Sequence, residues 1–368
     1  MKFSGNAQSV LEGINIVTRA LASKSIKPIF DGVLVEGNNN NLSMTCSDGQ
    51  FSIRWTGNAT VEESGTTIIP GRLFSELIRK IPNVPTSIKT DDKTALITYG
   101  KSRSRLSVIS GEYPQPDVIT NPESVTIPAS ALRDMINHII SSVATDQSRI
   151  ILTGGLLDIS PDTISMVSLD GFRLAAKHYA QENDIHADRV RAIIPRKTLM
   201  ELSRILPADD SPVFIDIGSG KIRITFGNVQ ITSVLIAGEY MDYEKIIPQT
   251  FASSIRTSKQ ELSDAIDRAS LMAREGKNNL IRMDISDNGV TISARAETGN
   301  VEESVECLQN GNDITIAFNS NYLVDALKNL PGDNVTMKFN STVSPAIFSP
   351  DSGNDWLYLI LPVRVQND

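Results

Sequence analysis

The feature that most constrains the fold is a short segment that occurs three times. Residues 193–207 read as the end of a strand, a short helix and a closing proline, and residues 68–82 follow the same order. Residues 316–331 repeat it in weaker form. The closing prolines stand roughly 125 residues apart, so the repeat fills the chain. We therefore predict three similar domains, spanning residues 1–120, 125–247 and 250–368.

Each domain reads as strand-helix-strand-strand-strand, twice over. Two helices and about eight strands in each domain predict an α+β fold with antiparallel sheets and helices on one side. In the helix of residues 196–206, Leu199, Leu202 and Leu206 share one face, which should cover a sheet. The links 115–124 and 244–254 contain proline and lack periodicity, and they are the expected domain boundaries.

The charge on these repeated helices differs in sign from the charge of the whole chain. The chain has a formal net charge of -8, which by itself argues against a nucleic-acid partner. In the first helix Arg72, Arg79 and Lys80 outnumber the acidic Glu76. The second carries Arg196, Lys197 and Arg204 against the acidic Glu201. One such helix is more simply a solvated face, but repetition at equivalent places favours a positive surface for a phosphate backbone.

Composition excludes several other classes of protein. Two cysteines in 368 residues cannot form a disulfide framework, which predicts a reduced, cytoplasmic protein. The N-terminal residues have no apolar signal-like run, and no stretch is long and apolar enough to span a membrane.

The sequence contains no convincing constellation for catalysis, a metal or a cofactor. The segment Gly218-Ser219-Gly220-Lys221 resembles a phosphate loop, but Ile222 follows the lysine and the flanks alternate, so a hairpin turn is predicted. The three histidines stand in different elements without neighbouring ligands. Both cysteines stand in strand-like runs and are expected to pack as small core residues.

The C-terminal segment, residues 356–365, is strongly apolar. It reads as a last strand that Pro362 should interrupt, leaving Val363 and Val365 on a surface. An exposed apolar end of this kind is a candidate partner groove.

Several segments, taken in order, resemble one known family over the whole chain. They are residues 1–3, 168–175, 194–197, 238–243, 318–323 and 361–364. In their order and spacing the chain resembles the bacterial sliding clamp family, the beta subunit of DNA polymerase III. The resemblance implies the DNA-clamp fold, in which two three-domain crescents close head to tail into a homodimeric ring around duplex DNA.

The function that this resemblance implies is that of a non-catalytic processivity factor without a cofactor. The ring would slide on double-stranded DNA without reading sequence. It would tether the replicative polymerase alpha subunit, the clamp loader, other polymerases and repair proteins through short apolar peptides such as Gln-Leu-Ser-Leu-Phe.

The resemblance also assigns residues. Lys24 and Arg72 match DNA-contacting positions of the family, and Ile150 and Ile151 stand where the family has an aromatic pair. The expected DNA-binding set is Lys24, Arg72, Arg79, Lys80, Gln147, Arg149, Arg196, Lys197 and Arg204.

The expected peptide pocket is Leu152, Leu169, Gly171, Phe172, Arg173, Leu174, Met241, Lys245, Ile246, Val343, Pro345, Leu359, Ile360, Leu361, Pro362, Val363, Arg364 and Val365. Met241 and Leu169 depart from the family pattern. The expected dimer interface is Leu106 and Val108 on one side and Leu271 and Met272 on the other.

Two other hypotheses remain open from the residues alone. An enzyme on a repeat-built scaffold would need a histidine, cysteine or carboxylate cluster in one domain only. A repeat scaffold that binds protein and not DNA would keep its function when the basic helix residues are replaced by acids.

Overall fold

A computed structural model describes residues 1–22, 27–115, 118–276, 278–351, 353 and 355–364. In this part of the chain there are six α-helices: α1 (Ala7–Val17), α2 (Gly71–Lys80), α3 (Ala129–Ile139), α4 (Arg196–Ile205), α5 (Lys259–Glu275) and α6 (Ser320–Lys328). Short 3-10 turns occur at Thr18–Ala20, Pro28–Asp31, Ile140–Ser142, Gln147–Thr153 and Tyr243–Ile246.

The strands fall into three groups along the chain. The first group is β1 (Lys2–Asn6), β2 (Gly32–Asn38), β3 (Asn41–Ser47), β4 (Phe51–Asn58), β5 (Thr60–Glu63), β6 (Gly65–Pro70), β7 (Pro85–Thr90), β8 (Thr94–Tyr99) and β9 (Ser102–Ser107). The second is β10 (Glu123–Pro128), β11 (Gly154–Ile159), β12 (Thr163–Leu169), β13 (Arg173–Ala180), β14 (Val190–Pro195), β15 (Pro212–Gly218), β16 (Lys221–Phe226) and β17 (Val229–Val234). The third is β18 (Ser253–Ser258), β19 (Leu280–Ser286), β20 (Gly289–Ala296), β21 (Gly299–Val305), β22 (Leu308–Gly311), β23 (Ile314–Asn319), β24 (Asn334–Phe339), β25 (Ala346–Pro350) and β26 (Trp356–Ile360).

This order confirms the repeated pattern predicted from the sequence. In the second group, strand-helix-strand-strand-strand occurs twice without interruption. The first and third groups add one short strand each, β5 and β22. A strand leads directly into every one of the six helices described.

The chain forms two compact units. The first contains residues 1–133, 184–187 and 200–235, and the second contains residues 134–183, 188–199 and 236–368. The first holds a five-stranded sheet, β5-β1-β7-β8-β9, and an eight-stranded sheet, β10-β15-β16-β17-β4-β3-β2-β6. The second holds a nine-stranded sheet, β14-β11-β12-β13-β26-β25-β24-β18-β22, and a four-stranded sheet, β21-β20-β19-β23. Every strand pair in these sheets is antiparallel, as predicted.

Two pairings join strands that belong to different sequence repeats. In the first unit β17 pairs with β4, and in the second unit β26 pairs with β13. Each pairing therefore completes a long sheet from two successive sequence repeats, and both lie beside a cavity described below.

The helices bury the apolar faces that their spacing predicts. Leu199, Leu202 and Leu206 are all buried, and Phe74 and Ile78 occupy the same face of α2. Each such leucine stabilises the fold by about 1.5–3 kcal/mol relative to an exposed side chain. Side-chain oxygens of Asn6, Ser258 and Asn319 accept backbone N–H groups at the starts of α1, α5 and α6.

Candidate functional site

An apolar cavity of about 170 Å³ lies beside the junction of β13 and β26. We call it the apolar pocket; it is lined by Arg149, Leu169, Gly171, Phe172, Arg173, Leu174, Met241, Ile246, Leu359 and Leu361. All of these except Arg149 belong to the peptide pocket expected from the sequence. Arg149, which was expected to contact DNA, also lines the apolar pocket.

The turn between β12 and β13 forms one wall of the apolar pocket. Asp170 Oδ1 accepts the backbone N–H groups of Phe172 and Arg173 at 2.9 and 3.1 Å. Gly171 has φ of 96°, a backbone conformation that other residues adopt at a cost. The Asp-Gly pair thus fixes a tight turn that leaves Phe172 60% exposed at the rim.

Arg173 is held in place from several sides. Its Nε donates to Asp170 at 3.0 Å, its Nη1 donates to the Tyr358 hydroxyl at 3.1 Å, and the guanidinium lies 4.4 Å from the centre of the Tyr322 ring. Asp325 and the carbonyl of Ser141 accept its other N–H groups. Burial lowers the pKa of Arg173, but Tyr358 and the two carboxylates outweigh burial and raise it overall. Arg173 is therefore a charged side chain, held by several contacts, that forms one wall of the apolar pocket.

The floor of the apolar pocket is continuous with a buried core. Leu169, Leu174 and Leu359 pack with Leu152 and with two tyrosines that follow β17, Tyr240 and Tyr243. The Tyr240 hydroxyl also accepts the backbone N–H of Leu169 at 3.2 Å. The floor is thus apolar and closely packed, as suits a pocket for apolar anchors.

The C-terminal segment closes the apolar pocket. Strand β26 ends at Ile360, but Leu361 N–H still donates to the Phe172 carbonyl at 2.8 Å. After Pro362, Val363 N–H donates to the Ala317 carbonyl at 2.8 Å and its side chain is half-buried. Val363 therefore lies only partly at the surface, because its main chain bonds to β23 after the proline. Val365 lies outside the described residues.

The other described residues expected in the peptide pocket do not line the cavity. Lys245 is exposed and pairs with Asp242 at 2.7 Å. Val343 is 56% exposed and Ile360 is fully buried. Pro345 and Pro362 are half-buried, and Arg364 is exposed.

The basic residues of α2 lie on its exposed side. Arg72, Arg79 and Lys80 are all exposed, while Phe74 and Ile78 of the same helix are buried. Arg72 donates to the Ala22 carbonyl at 3.1 Å, and Arg79 donates to Asn15 at 3.3 Å. These contacts orient two guanidinium groups without burying them. Lys24, expected in the same set, lies outside the described residues.

The basic residues of α4 divide into two kinds. Lys197 and Arg204 are exposed, whereas Arg196 is half-buried and donates to the Ile140 carbonyl at 2.9 Å. Glu201 pairs with Arg204 at 2.7 Å and with Arg19 at 3.2 Å. Arg196 thus holds the start of α4 in place. Arg19 is an exposed cation in the 3-10 turn after α1. The sequence prediction missed it because it lies outside the repeated helices α2 and α4.

The 3-10 segment Gln147–Thr153 carries the other expected DNA contacts. Asp146 accepts the N–H of Ser148 at 3.1 Å and starts the segment. Gln147 is exposed and Ile150 is 66% exposed, whereas Ile151 packs against the core below the apolar pocket. The segment therefore presents both a polar and an apolar side chain.

The four residues expected at a dimer interface differ in exposure. On the edge strand β9, Leu106 is 8% exposed, and Val108, which follows that strand, is half-buried. On α5, Leu271 is 60% exposed and Met272 is half-buried. Leu271 is thus the member with most apolar surface to offer.

Within the described ranges, no group of three or more histidine, cysteine or acidic residues is arranged to hold a metal ion. Among the helices in the same ranges, none is long and apolar enough to cross a membrane.

Comparison with protein families covers almost the whole chain. Models of the DNA polymerase III beta subunit match in order, with the N-terminal domain at residues 1–117, the central domain at 126–242 and the C-terminal domain at 244–364. The chain is 30% identical over 376 aligned positions to the beta sliding clamp of Staphylococcus aureus, with 99% of both chains covered.

Solved structures show the same similarity in three dimensions. The DNA polymerase sliding clamp from Bacillus subtilis matches with a TM-score of 0.95 and 30% identity, covering 100% of both chains. The sliding clamp from Pseudomonas aeruginosa bound to griselimycin matches with a TM-score of 0.91 and 28% identity, covering 99% of this chain and 100% of that one. The three tandem domains, the antiparallel sheets and the whole-length match agree, and the chain belongs to the DNA polymerase III beta subunit family of sliding clamps.

Proposed function

We propose that this chain is a processivity factor that closes as a homodimeric ring around duplex DNA and tethers polymerases through the apolar pocket. The observation that carries the proposal is the apolar pocket itself. Three leucines form its floor, an immobilised arginine forms one wall, and exposed Phe172 and Leu361 stand at its rim. This arrangement suits a short peptide with apolar anchors, because a rigid apolar concavity supplies most of the binding energy of such contacts.

The helix surfaces support the DNA part of the proposal. Exposed arginines and lysines on α2 and α4 can neutralise phosphates without reading bases, which permits sliding. We assign this role to Arg72, Arg79, Lys80, Lys197 and Arg204, with Lys24, Gln147, Arg149 and Arg196 as further members of the expected set. Arg19 joins them on its exposure and its link to α4 through Glu201.

Charge complementarity supports closure of the ring. The edge strand β9 carries exposed Arg103 and Arg105, and the edge strand β21 carries exposed Glu302 beside Glu303, which pairs with Arg268. A head-to-tail contact of these edges between two copies would pair opposite charges and cover Leu271. We infer an interface containing Leu106, Val108, Leu271 and Met272, with domains bounded at residues 1–120, 125–247 and 250–368.

In this function the protein has no catalytic activity of its own and acts by topological tethering. Its partners are double-stranded DNA, the polymerase alpha subunit, the clamp loader, and other polymerases and repair proteins. Its location is the cytoplasm, where bacterial DNA is replicated.

The test is fluorescence anisotropy of a labelled Gln-Leu-Ser-Leu-Phe peptide titrated with the protein and with Leu361→Asp. We expect a Kd near 1 μM, about -8 kcal/mol, and at least tenfold weaker binding by the variant, because a buried carboxylate would face the apolar anchor. Leu308→Asp is the matched control, since Leu308 is 70% exposed and does not line the apolar pocket. Equal binding by all three proteins would contradict the proposal.

A further inference from the structure

The junction of β4 and β17 in the first unit repeats the geometry of the junction of β13 and β26 in the second. Val234 N–H donates to the Gln50 carbonyl at 2.9 Å, as Leu361 N–H donates to the Phe172 carbonyl at 2.8 Å. The two strand pairs also have the same register: Ser52 stands opposite Thr232, and Leu174 stands opposite Leu359. The two junctions can therefore be compared position by position.

The turn that precedes the junction is also the same. Asp48 Oδ1 accepts the backbone N–H groups of Gln50 and Phe51 at 2.9 and 2.8 Å, which is what Asp170 does in the other turn. Gly49 has φ of 95° and Gly171 has φ of 96°. The Asp-Gly turn thus builds the same wall twice.

A cavity of about 80 Å³ lies at the first junction, where the apolar pocket lies at the second. We call it the polar copy; it is lined by Ser47, Gly49, Gln50, Phe51, Ser52, Pro114, Gln115, Lys221, Thr232 and Val234. Most of these residues have an equivalent that lines the apolar pocket. Pro114 corresponds to Met241, for example, since each follows a Gly-Glu-Tyr sequence.

The polarity of the floor is inverted between the two cavities. Positions that are leucine in the apolar pocket are hydroxyl residues in the polar copy: Ser47 for Leu169, Ser52 for Leu174 and Thr232 for Leu359. Ser47 Oγ accepts the Gly49 N–H at 3.0 Å, which leaves its own hydrogen to donate elsewhere.

Two of these hydroxyls have no partner of their own. Ser52 is only 7% exposed, and neither Ser52 nor Thr232 forms a side-chain hydrogen bond with any residue that the structure describes. Neither hydroxyl oxygen is cut off from solvent, so both can donate to a ligand that enters the cavity.

The rest of the lining points to an anionic ligand. Among the described residues that line the polar copy, Lys221 alone carries a charge, and the amides of Gln50 and Gln115 add N–H donors. Hydroxyls, amides and an ammonium group around a small volume suit one carboxylate, whose hydrogen bonds from charged donors are the strong ones. The volume fits one short side chain.

We propose that the polar copy is a second peptide site, which takes an aspartate side chain of an extended segment from a protein partner. Each chain then carries two peptide sites of opposite polarity, which lie at equivalent strand junctions. This inference goes beyond tethering through the apolar pocket, and it does not require that pocket to bind.

The test is fluorescence anisotropy of two labelled peptides, Gly-Ser-Asp-Ser-Gly and its amide counterpart Gly-Ser-Asn-Ser-Gly, titrated with the full chain. We expect the aspartate peptide to bind with a Kd below about 1 mM and the asparagine peptide at least fivefold more weakly. Thr232→Leu and Lys221→Ala should each weaken the aspartate peptide at least fivefold. Lys93→Ala is the control, since Lys93 is an exposed lysine of the first unit outside the lining.

The outcomes separate the two sites. Absence of aspartate-peptide binding by the unmodified chain up to 5 mM (about 3 kcal/mol of affinity) would overturn the inference, as would equal binding of both peptides. An equal loss in Lys93→Ala would show only a general attraction of negative charge and would also overturn it. Leu361→Asp should bind the aspartate peptide as the unmodified chain does, so failure of the apolar pocket is recognised independently.

Discussion

Leu361 donates its backbone N–H to the carbonyl of Phe172 at 2.8 Å, one residue beyond the end of β26. This bond joins the C-terminal segment to the turn that presents Phe172, and it places two partly exposed apolar side chains on the same rim. The shape of the apolar pocket therefore depends on the turn as much as on the tail.

The turn can be tested through its glycine. Gly171→Ala should lower the free energy of unfolding by about 1–3 kcal/mol, since alanine is strained at φ of 96°. Space does not forbid the change, because an added Cβ would meet only Arg149 Nη1 at 3.9 Å. Peptide affinity should fall as well, because Phe172 would shift.

Gly49→Ala is the matched control for this substitution. Its φ is 95°, and its added Cβ would also have room, with the Phe30 ring at 3.5 Å. Chemical denaturation should show a similar loss of stability, while anisotropy should show unchanged affinity for the apolar peptide. A large loss of affinity in Gly49→Ala would mean that the turn acts only through global stability.

Arg173 gives a second prediction, concerning charge geometry. Arg173→Lys should lower the free energy of unfolding by about 1–3 kcal/mol, because one ammonium group cannot reach Asp170, Asp325, Tyr358 and Ser141 together. Arg256→Lys is the control: Arg256 pairs with Asp351 on an exposed surface, where such pairs contribute at most about 1 kcal/mol. Urea denaturation of the two variants should rank them in this order, and equal losses would contradict it.

The sequence predicted much of this architecture and part of the site. The helix faces followed from the spacing of Leu199, Leu202 and Leu206, since periodicity reports directly which side is covered. The residues of the apolar pocket could be expected only through the family resemblance, because they come from segments far apart in sequence. The sequence could not show that Arg196 is engaged by the Ile140 carbonyl or that Val363 pairs again after Pro362. Those contacts depend on tertiary packing, which no local pattern records.

His138 predicts a pH dependence of stability. Burial lowers its pKa to about 4, against about 6.5 in an unfolded chain, and its ring lies 4.4 Å from that of Trp356 while Nε2 contacts the Leu357 carbonyl at 3.2 Å. Because the unfolded chain binds the proton more readily, the free energy of unfolding should fall as pH drops from about 6.5 to 4. The loss from this group is at most about 3 kcal/mol.

The contribution of His138 is isolated by difference. Denaturation of the protein and of His138→Gln should be compared at pH 7.5 and pH 4.5, since other titrating groups, including the neighbouring Asp355, contribute to both. The stability difference between the two proteins should shrink or reverse at the lower pH. A difference that is constant with pH would show that His138 is not buried neutral.

The helix charges predict how DNA binding should respond to salt. The double variant Arg72→Glu and Lys197→Glu should weaken binding to duplex DNA uniformly across sequences. It should also make the slope of log K against log salt concentration shallower by about 0.9 for each phosphate that is no longer neutralised. Arg256→Glu is the control with one charge reversed on another surface. An unchanged slope in the double variant would favour a protein-binding scaffold over a clamp.

The final prediction concerns ring closure, through Leu271. This side chain is 60% exposed on α5, so Leu271→Asp should leave the folded chain stable within about 0.5 kcal/mol. In a closed dimer the same carboxylate would be buried against an apolar partner surface at a cost of several kcal/mol. Sedimentation velocity at micromolar concentration should therefore give a dimer for the unmodified protein and a monomer for the variant. Leu308→Asp, at a site with 70% exposure on β22, should remain dimeric, and dissociation of both variants alike would place the interface elsewhere.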